Sequence, residues 1–535
     1  MKPSIFNDVI GPVMRGPSSS HTAAAHRIGA LIRQFCRPEN GKVLVEFDRK
    51  GSLATTYEGQ GSAMGLICGL LGVSILDPAV IRYRELAQES QLDIRFVITD
   101  FETSHPNTYK IRVENDRDEK FQFVAISTGG GMIEMISLNG FAISIRGDFF
   151  ETLICFESQS PNSIQTLFHN FRNQSGNCEV AIFEQGENNL LINIKSRNSI
   201  LDEADKLISN QEGLLWIKQI EPVMPILSGI TDALPFSSID EMMHLAEQNG
   251  YDLAELAILY ESARAGISRK KVLSLMQDIV VVIKNSIEVG LEGAIYNDRI
   301  LGHQSHMILD AEKRNRIIKN PVNTIIAYVT ALMEAKSSMG IIVAAPTAGS
   351  AGVLGGVIFG IAKGFTENIE GITKAFLAAG LIGVFIADRY TFAAEEGGCQ
   401  VECGAASGMA AAGLVQLMGG TAREAIDAAS MALQNLLGLV CDPVADRVEV
   451  PCLGKNILGA TNALSSANMS LAGFDAVIPL DEVINAMKSV GESLPSSLCC
   501  TGCGGLSVTP TALKLHEKLK MSCISVKGEI NPGQQ

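Results

Sequence analysis

Between residues 222 and 238 the chain changes its period. Ahead of the stretch "PVMPILSGITDALPFSS" lie runs such as "VLVEFDRKG", "LDIRFVIT", "NTYKIRVEN" and "FQFVAIST", whose alternation and β-branched residues are those of strands. Beyond it, "IDEMMHLAEQNG", "DLAELAILYESARAG", "SRKKVLSLMQDIVVVIKNSIEVGLEG" and an Ala- and Gly-rich run to about residue 438 read as helices. Three prolines make the stretch itself a boundary. A chain that switches period once, and holds 535 residues, is multidomain, with roughly two to four cores on size grounds.

The amino-terminal part, residues 1–148, mixes both signals and is expected to be an α/β domain. In "GPSSSHTAAAHRIGALIRQF" a helix should begin near Ser19 or Ser20, where serines can cap it. Residues 149–223 read strand, helix, strand, strand, helix, strand, the split βαβ order of ferredoxin-like α+β folds. In that order of elements they resemble an ACT regulatory domain. Residues 237–520 are expected to form an all-α catalytic domain.

A net charge of -15 and no clustered Lys or Arg argue against nucleic acid and anionic membranes, which leaves a small-molecule substrate. The opening "MKPSIFNDVIGPVMRG" has neither the apolar core of a secretory signal nor the arginine-rich character of a transit peptide, so a cytoplasmic location is expected. Residues 340–362 carry no charge over a length that could cross a bilayer. Pro346, Thr347, Ser350 and six glycines interrupt them, and a buried helical hairpin is the expectation.

Of twelve cysteines, seven fall between residues 399 and 503. Cys399, Cys441 and Cys452 form no CxxC pair with one another, unlike the ligands of a zinc knuckle or a thioredoxin site. Buried cysteines in an Ala-rich core would be commonplace. Cys441 in "VCDPV" and Cys452 in "VPCLGKN", however, stand in loops that contain proline and polar residues, which suggests placement for chemistry.

These residues carry a resemblance. "GCQ", "GLVCDPVADRVEVPC" and "KNILGATNALSSANMSLAG" closely resemble the α part of the bacterial iron-sulfur L-serine dehydratases, and "MRGPSSSHTAAAHRIGA" resembles the opening of their β part. "SHPNTYKIRV", "ISTGGGMIE", "GIIVAAPTAGSAGVLGGV", "LPSSL" and "TGCGGLSVTPT" extend it in family order over almost the whole chain, as in a single-chain fusion of the two parts. The resemblance implies a 4Fe-4S cluster on Cys399, Cys441 and Cys452 with one iron left for substrate. It further implies L-serine as substrate, a role in amino-acid catabolism and gluconeogenesis, and, through the ACT-like module, a homodimer. Cys403 is outside that ligand set, since nothing in the spacing singles it out.

The expected reaction is dehydration of L-serine to pyruvate and ammonia, an open iron acting as Lewis acid. His21 is the leading proton-transfer residue, because imidazole titrates near neutrality. Ser18, Ser19, Ser20 and Thr22, with Thr347, Gly349 and Ser350, lie where helices start, and are read either as caps or as contacts to the substrate carboxylate. His105 and Asn107 in "HPNT" match a family motif, and a turn explains them equally well. Two departures stand out. Gln60 occupies the place of a family histidine, and "SLCCTGCGGL" at 497–506 replaces a segment that often holds an arginine, which leaves Cys499, Cys500 and Cys503 without a role. These departures keep open β-elimination from L-cysteine or another β-substituted amino acid, and a non-catalytic amino-acid sensor.

Overall fold

The amino terminus does not stay with its own half of the chain. In the computed structural model, which describes residues 2–157, 179–185, 189–209, 211–229, 234–294, 296, 299–365 and 368–527, the first strand, β1 (Val13–Arg15), pairs antiparallel with Ile341–Val343. Ahead of it a wide turn, Ile5–Val9, lies on the helix Ile369–Ala387. Glycine makes that contact: a Cβ at Gly383 would lie 2.1 Å from Val9, and one at Gly380 would lie 2.6 Å from Ile5. Buried Glu261 accepts from Ser4 Oγ at 2.7 Å and from the Ile5 amide at 2.8 Å, so the turn's entry is satisfied as well as packed.

After β1 the chain enters a mixed sheet of β2 (Lys42–Asp48), β3 (Asp93–Thr99), β4 (Thr108–Glu114), β5 (Lys120–Gly129), β6 (Met132–Leu138) and β7 (Phe141–Ile145). Its spatial order is β3-β2-β4-β5-β6-β7, and only β2 with β3 is parallel. The alternation seen in sequence is the alternation of burial: Phe121, Phe123 and Ala125 face inward along β5, while Gln122 and Val124 are only half-buried. The helices Ala24–Cys36 and Ser62–Leu71 cross at close range on this sheet. A Cβ at Gly65 would lie 2.1 Å from the Thr22 carbonyl oxygen, so the first helix and the residues that lead into it are pinned by backbone contact.

A second sheet contains β8 (Phe150–Glu157), β9 (Glu179–Gln185), β10 (Asn189–Ser196) and β11 (Leu214–Ile220), in the order β11-β8-β10-β9 with every neighbouring pair antiparallel. That is the ferredoxin-like strand order. The helix Leu201–Ile208 precedes β11, while the helix expected at 161–174 lies outside the described residues. Burial pushes the Glu151 carboxyl up to about 8, against the pull of Lys195 Nζ 4.0 Å away. The folded chain therefore keeps a proton that the unfolded chain releases near 4.5, and stability falls as pH rises from 4.5 to about 8. Glu151→Gln is expected to flatten this fall, read as a smaller difference in Tm between about pH 5 and about pH 8.

The remaining described residues are largely helical. Pro321–Ser337, Ala351–Phe365, Ile369–Ala387, Ala405–Leu417, Ala422–Gln434 and Cys452–Leu471 share one core, with alanines and glycines allowing close approach. Ile369–Ala387 is long and apolar enough to cross a membrane, and 78% of its apolar window is buried within the protein. Residues 340–362 are not the helical hairpin expected from composition. They form β12 (Ile341–Val343), a tight turn at Ala348–Ser350 and one helix. The reason is local: Ile-Ile-Val finds a strand partner in β1, Pro346 has no amide hydrogen to give a helix, and Thr347 Oγ1 caps the turn by accepting from the Ser350 amide at 3.3 Å.

Candidate active site

The β1–β12 ladder lays two hydroxyl-rich turns side by side. Each strand runs into one of them, "GPSSSHT" after β1 and "APTAGS" after β12, and Ser19 Oγ accepts from the Ala348 amide at 3.1 Å across the gap. The turn between β5 and β6 comes in from a third side. Gly129, Gly130 and Gly131 have φ of +97°, +60° and +89°, and a Cβ at Gly129 would lie 2.6 Å from the Ala393 amide nitrogen.

The cysteines close the fourth side. Cys399 precedes the wide turn Gln400–Gly404, and Cys452 opens the helix Cys452–Leu471. Cys441 is held in a loop by the tail, its amide donating to Leu498 O at 2.8 Å and its carbonyl accepting from the Cys500 amide at 3.0 Å. The sulfurs of Cys399 and Cys441 and a Glu402 carboxylate oxygen lie within 4.8 Å of one another. Cys452 stands outside that tightest group but close enough to Cys399 for each charge to be felt by the other. Burial raises the thiol pKa of Cys452 and of Cys403, and the neighbouring thiols push the same way. All four are free buried thiols. Cys403, Cys441 and Cys452 are held protonated unless a cation compensates them, and several thiolates converging in one buried place are the donor set of an iron-sulfur cluster. The residues fit that group.

Around the thiols lie charged and amide groups. Lys455 Nζ donates to Val440 O at 2.6 Å and to Asp442 Oδ1 at 2.7 Å, and stands 4.0 Å from Cys399 Sγ. Asn456 Nδ2 donates to Gly349 O at 2.7 Å and Cys452 O at 2.8 Å, tying the "APTAGS" turn to the cysteine helix. Burial pushes the Glu402 carboxyl up to about 7, although Thr347 Oγ1 donates to it at 2.6 Å. A Cβ at Gly349 would lie 2.8 Å from the same carboxylate, so a side chain there would displace it. The fully buried Lys336 donates to Val448 O, and burial lowers its pKa.

His21 is fully buried. Its Nε2 is 2.8 Å from Thr56 Oγ1, whose hydroxyl donates to Ser52 O at 2.7 Å. Thr56 must therefore accept, which assigns the hydrogen to Nε2 and the lone pair to Nδ1. Ser18 Oγ lies 3.0 Å from Nδ1, while Ser20 Oγ donates to Glu395 Oε1 at 3.0 Å. Thr22 Oγ1 donates to Gln60 O at 3.0 Å, supporting the loop from which Gln60 Nε2 reaches Cys500 Sγ at 3.6 Å. His105 accepts from the Asn107 amide at Nδ1 and meets Glu396 Oε1 with Nε2 at 2.9 Å. Both polar atoms of the buried Asn107 side chain lack a partner, as does Ser127 Oγ. The hydroxyls of Thr347 and Ser350 are engaged in a reciprocal capping box.

A family profile described as "Serine dehydratase alpha chain" matches residues 248–507. The "Probable L-serine dehydratase, alpha chain" of Bacillus subtilis (strain 168) is 34% identical over 285 residues, 53% of this chain and 95% of that protein. The chain belongs to the serine dehydratase alpha chain family. A protein of the same name from Latilactobacillus sakei is 50% identical over 186 residues, 35% of this chain and 89% of its own. "L-serine dehydratase 1" of Escherichia coli (strain K12) is 30% identical over 283 residues, 51% of this chain and 62% of its own. The cysteines lie inside the matched serine dehydratase region, whereas His21, His105 and Asn107 lie ahead of it.

Sequence reasoning missed several neighbours of this serine dehydratase site: Lys336, Glu395, Glu402, Lys455 and Asn456, and the placement of Cys403 and Cys500 among the thiols. A signal existed for two of them. "AEEGGCQVEC" sets carboxylates immediately before and after Cys399, and a solvated face would not be Gly-rich. For Lys336, two charges, Glu334 and Lys336 itself, at the end of the apolar run "AYVTALMEAKSS" were the only mark.

Proposed function

We propose that the chain is an L-serine ammonia-lyase, converting L-serine to pyruvate and ammonia, with a 4Fe-4S cluster held by Cys399, Cys441 and Cys452. The observation that carries this reading is the convergence of buried free thiols with two hydroxyl-rich turns drawn from more than three hundred residues apart in the sequence. When bound, the cluster would supply a Lewis acid at which a hydroxyl becomes a better leaving group. The protein's own part is to hold the substrate and move its proton. Amides of the turns at 18–22 and 347–350, with Ser18, Ser19, Ser20, Thr22, Thr347, Gly349 and Ser350 shaping them, receive the carboxylate, and the unpartnered side-chain amide of Asn107, whose backbone N–H donates to His105 Nδ1, adds a donor. His21 takes the α-proton at Nδ1, the nitrogen left without hydrogen. The enamine product then tautomerises and hydrolyses in water.

In this reading residues 1–148 and 237–520 are the two catalytic parts of one chain. Residues 149–223 are an ACT-like module that binds an amino acid, and the protein is a cytoplasmic homodimer. The β11-β8-β10-β9 order supports the module's likeness to that class. Anaerobically prepared protein assayed side by side on L-serine, L-threonine and L-cysteine tests the function. Brown protein releasing pyruvate fastest from L-serine is the expected result. Sulfide release from L-cysteine as the dominant activity would assign the alternative substrate, and brown protein inert on all three would leave a sensor.

A further inference from the structure

Glu395 is a buried carboxylate, its side chain only 3% exposed, with half of its hydrogen-bonding capacity unused. Oε1 accepts from Ser20 Oγ at 3.0 Å and lies 3.6 Å from His21 Nδ1. Oε2 has no partner at all. A buried anion without a cation is costly, and among the described residues no lysine or arginine pairs with it. The lysines nearby, half-buried Lys455 and buried Lys336, are committed elsewhere, Lys455 to Asp442 and Val440 O, Lys336 to Val448 O. Its position is central: its charge reaches the thiols of Cys499 and Cys500, the Glu402 carboxyl and the Tyr109 hydroxyl. Asn107, just ahead of β4 and two residues before Tyr109, is another buried side chain with unmet polar atoms.

We propose that Glu395 Oε2 receives the α-ammonium of the substrate, which makes it the residue that selects amino acids over hydroxy acids. This rests on the lyase reading for the substrate's place, and it deepens that reading by naming the group that recognises the amine. The ammonium would supply the missing cation and a charge-assisted hydrogen bond to the oxygen that lacks one. Ser20 holds the carboxylate's other oxygen, so the orientation of Oε2 is fixed before substrate arrives.

The test uses L-alanine and L-lactate, which differ only in ammonium against hydroxyl and carry no leaving group, titrated calorimetrically into iron-loaded full-length protein. Wild type is expected to bind L-alanine about 10- to 100-fold more tightly than L-lactate, the span of a charge-assisted contact. E395Q should lose that preference by weakening L-alanine alone, and E395D should keep it. Equal weakening of both ligands in E395Q would mean a scaffolding role and overturn the proposal, as would undiminished L-alanine binding. If wild type binds L-alanine through Glu395 yet releases no pyruvate from L-serine, the ammonium site stands and the lyase reading falls.

Discussion

Cys441→Ala is expected to be purified without iron, colourless, and to have lost pyruvate release from L-serine. Cys441 is held in place because its loop is clamped on both sides by the tail through Leu498 and Cys500. The protein should still fold, since the substitution removes one sulfur from a small buried group of Ala394, Cys399, Cys441 and Cys500. Lewis-acid assistance is worth several kcal/mol, so its loss costs about a thousandfold or more in kcat/KM. Cys36→Ala is the control. That thiol is buried and bonded to Ile32 O at 3.3 Å, and its removal should leave both iron and colour in place. Iron analysis and visible absorption on the two variants decide the matter, and full iron content in Cys441→Ala would remove Cys441 from the ligand set.

His21→Asn is expected to lower kcat/KM for L-serine by about a hundredfold to ten-thousandfold, the range for a positioned proton-transfer group, with iron content unchanged. Burial lowers the imidazole's pKa, with the Glu395 charge opposing. A base must be neutral to act, so activity in wild type should rise with pH through a pKa that lies below the ordinary 6.5, and be level above it. In His21→Asn that acid limb should vanish. An unchanged limb in the variant would move the base elsewhere, and Glu402 and the buried Lys336 are the groups then to be substituted.

Much of the architecture could be read from the residues because its signals are short in range. Alternation along Lys120–Gly129 marks one buried face, and the order of elements at 149–223 foretells the β11-β8-β10-β9 sheet. Cys441 lies in the loop that its neighbours predict, whereas Cys452, read as a loop residue, is the first residue of the helix Cys452–Leu471. What stayed hidden depends on distance in sequence. Ile341–Val343 looks like the start of an apolar helix until Val13–Arg15 is seen to pair with it, more than three hundred residues away. Glu395, Glu402 and Lys336 were passed over because charge in a sequence reads as solvated surface, and only the folded chain reveals Glu395 and Lys336 as buried and Glu402 as half-buried. Cys500 was noticed as a departure from the family, but its contact with Gln60 joins two departures that lie 440 positions apart.

The ladder between Val13–Arg15 and Ile341–Val343 also bears on how this enzyme could be divided. Severing the polypeptide within residues 222–238 would not yield two independent workpieces, because the leading fragment would take Ile5 and Val9 with it and leave bare grooves above Gly380 and Gly383. Neither fragment alone would enclose the thiols, so co-expression rather than mixing afterwards is the way to rebuild the whole from halves.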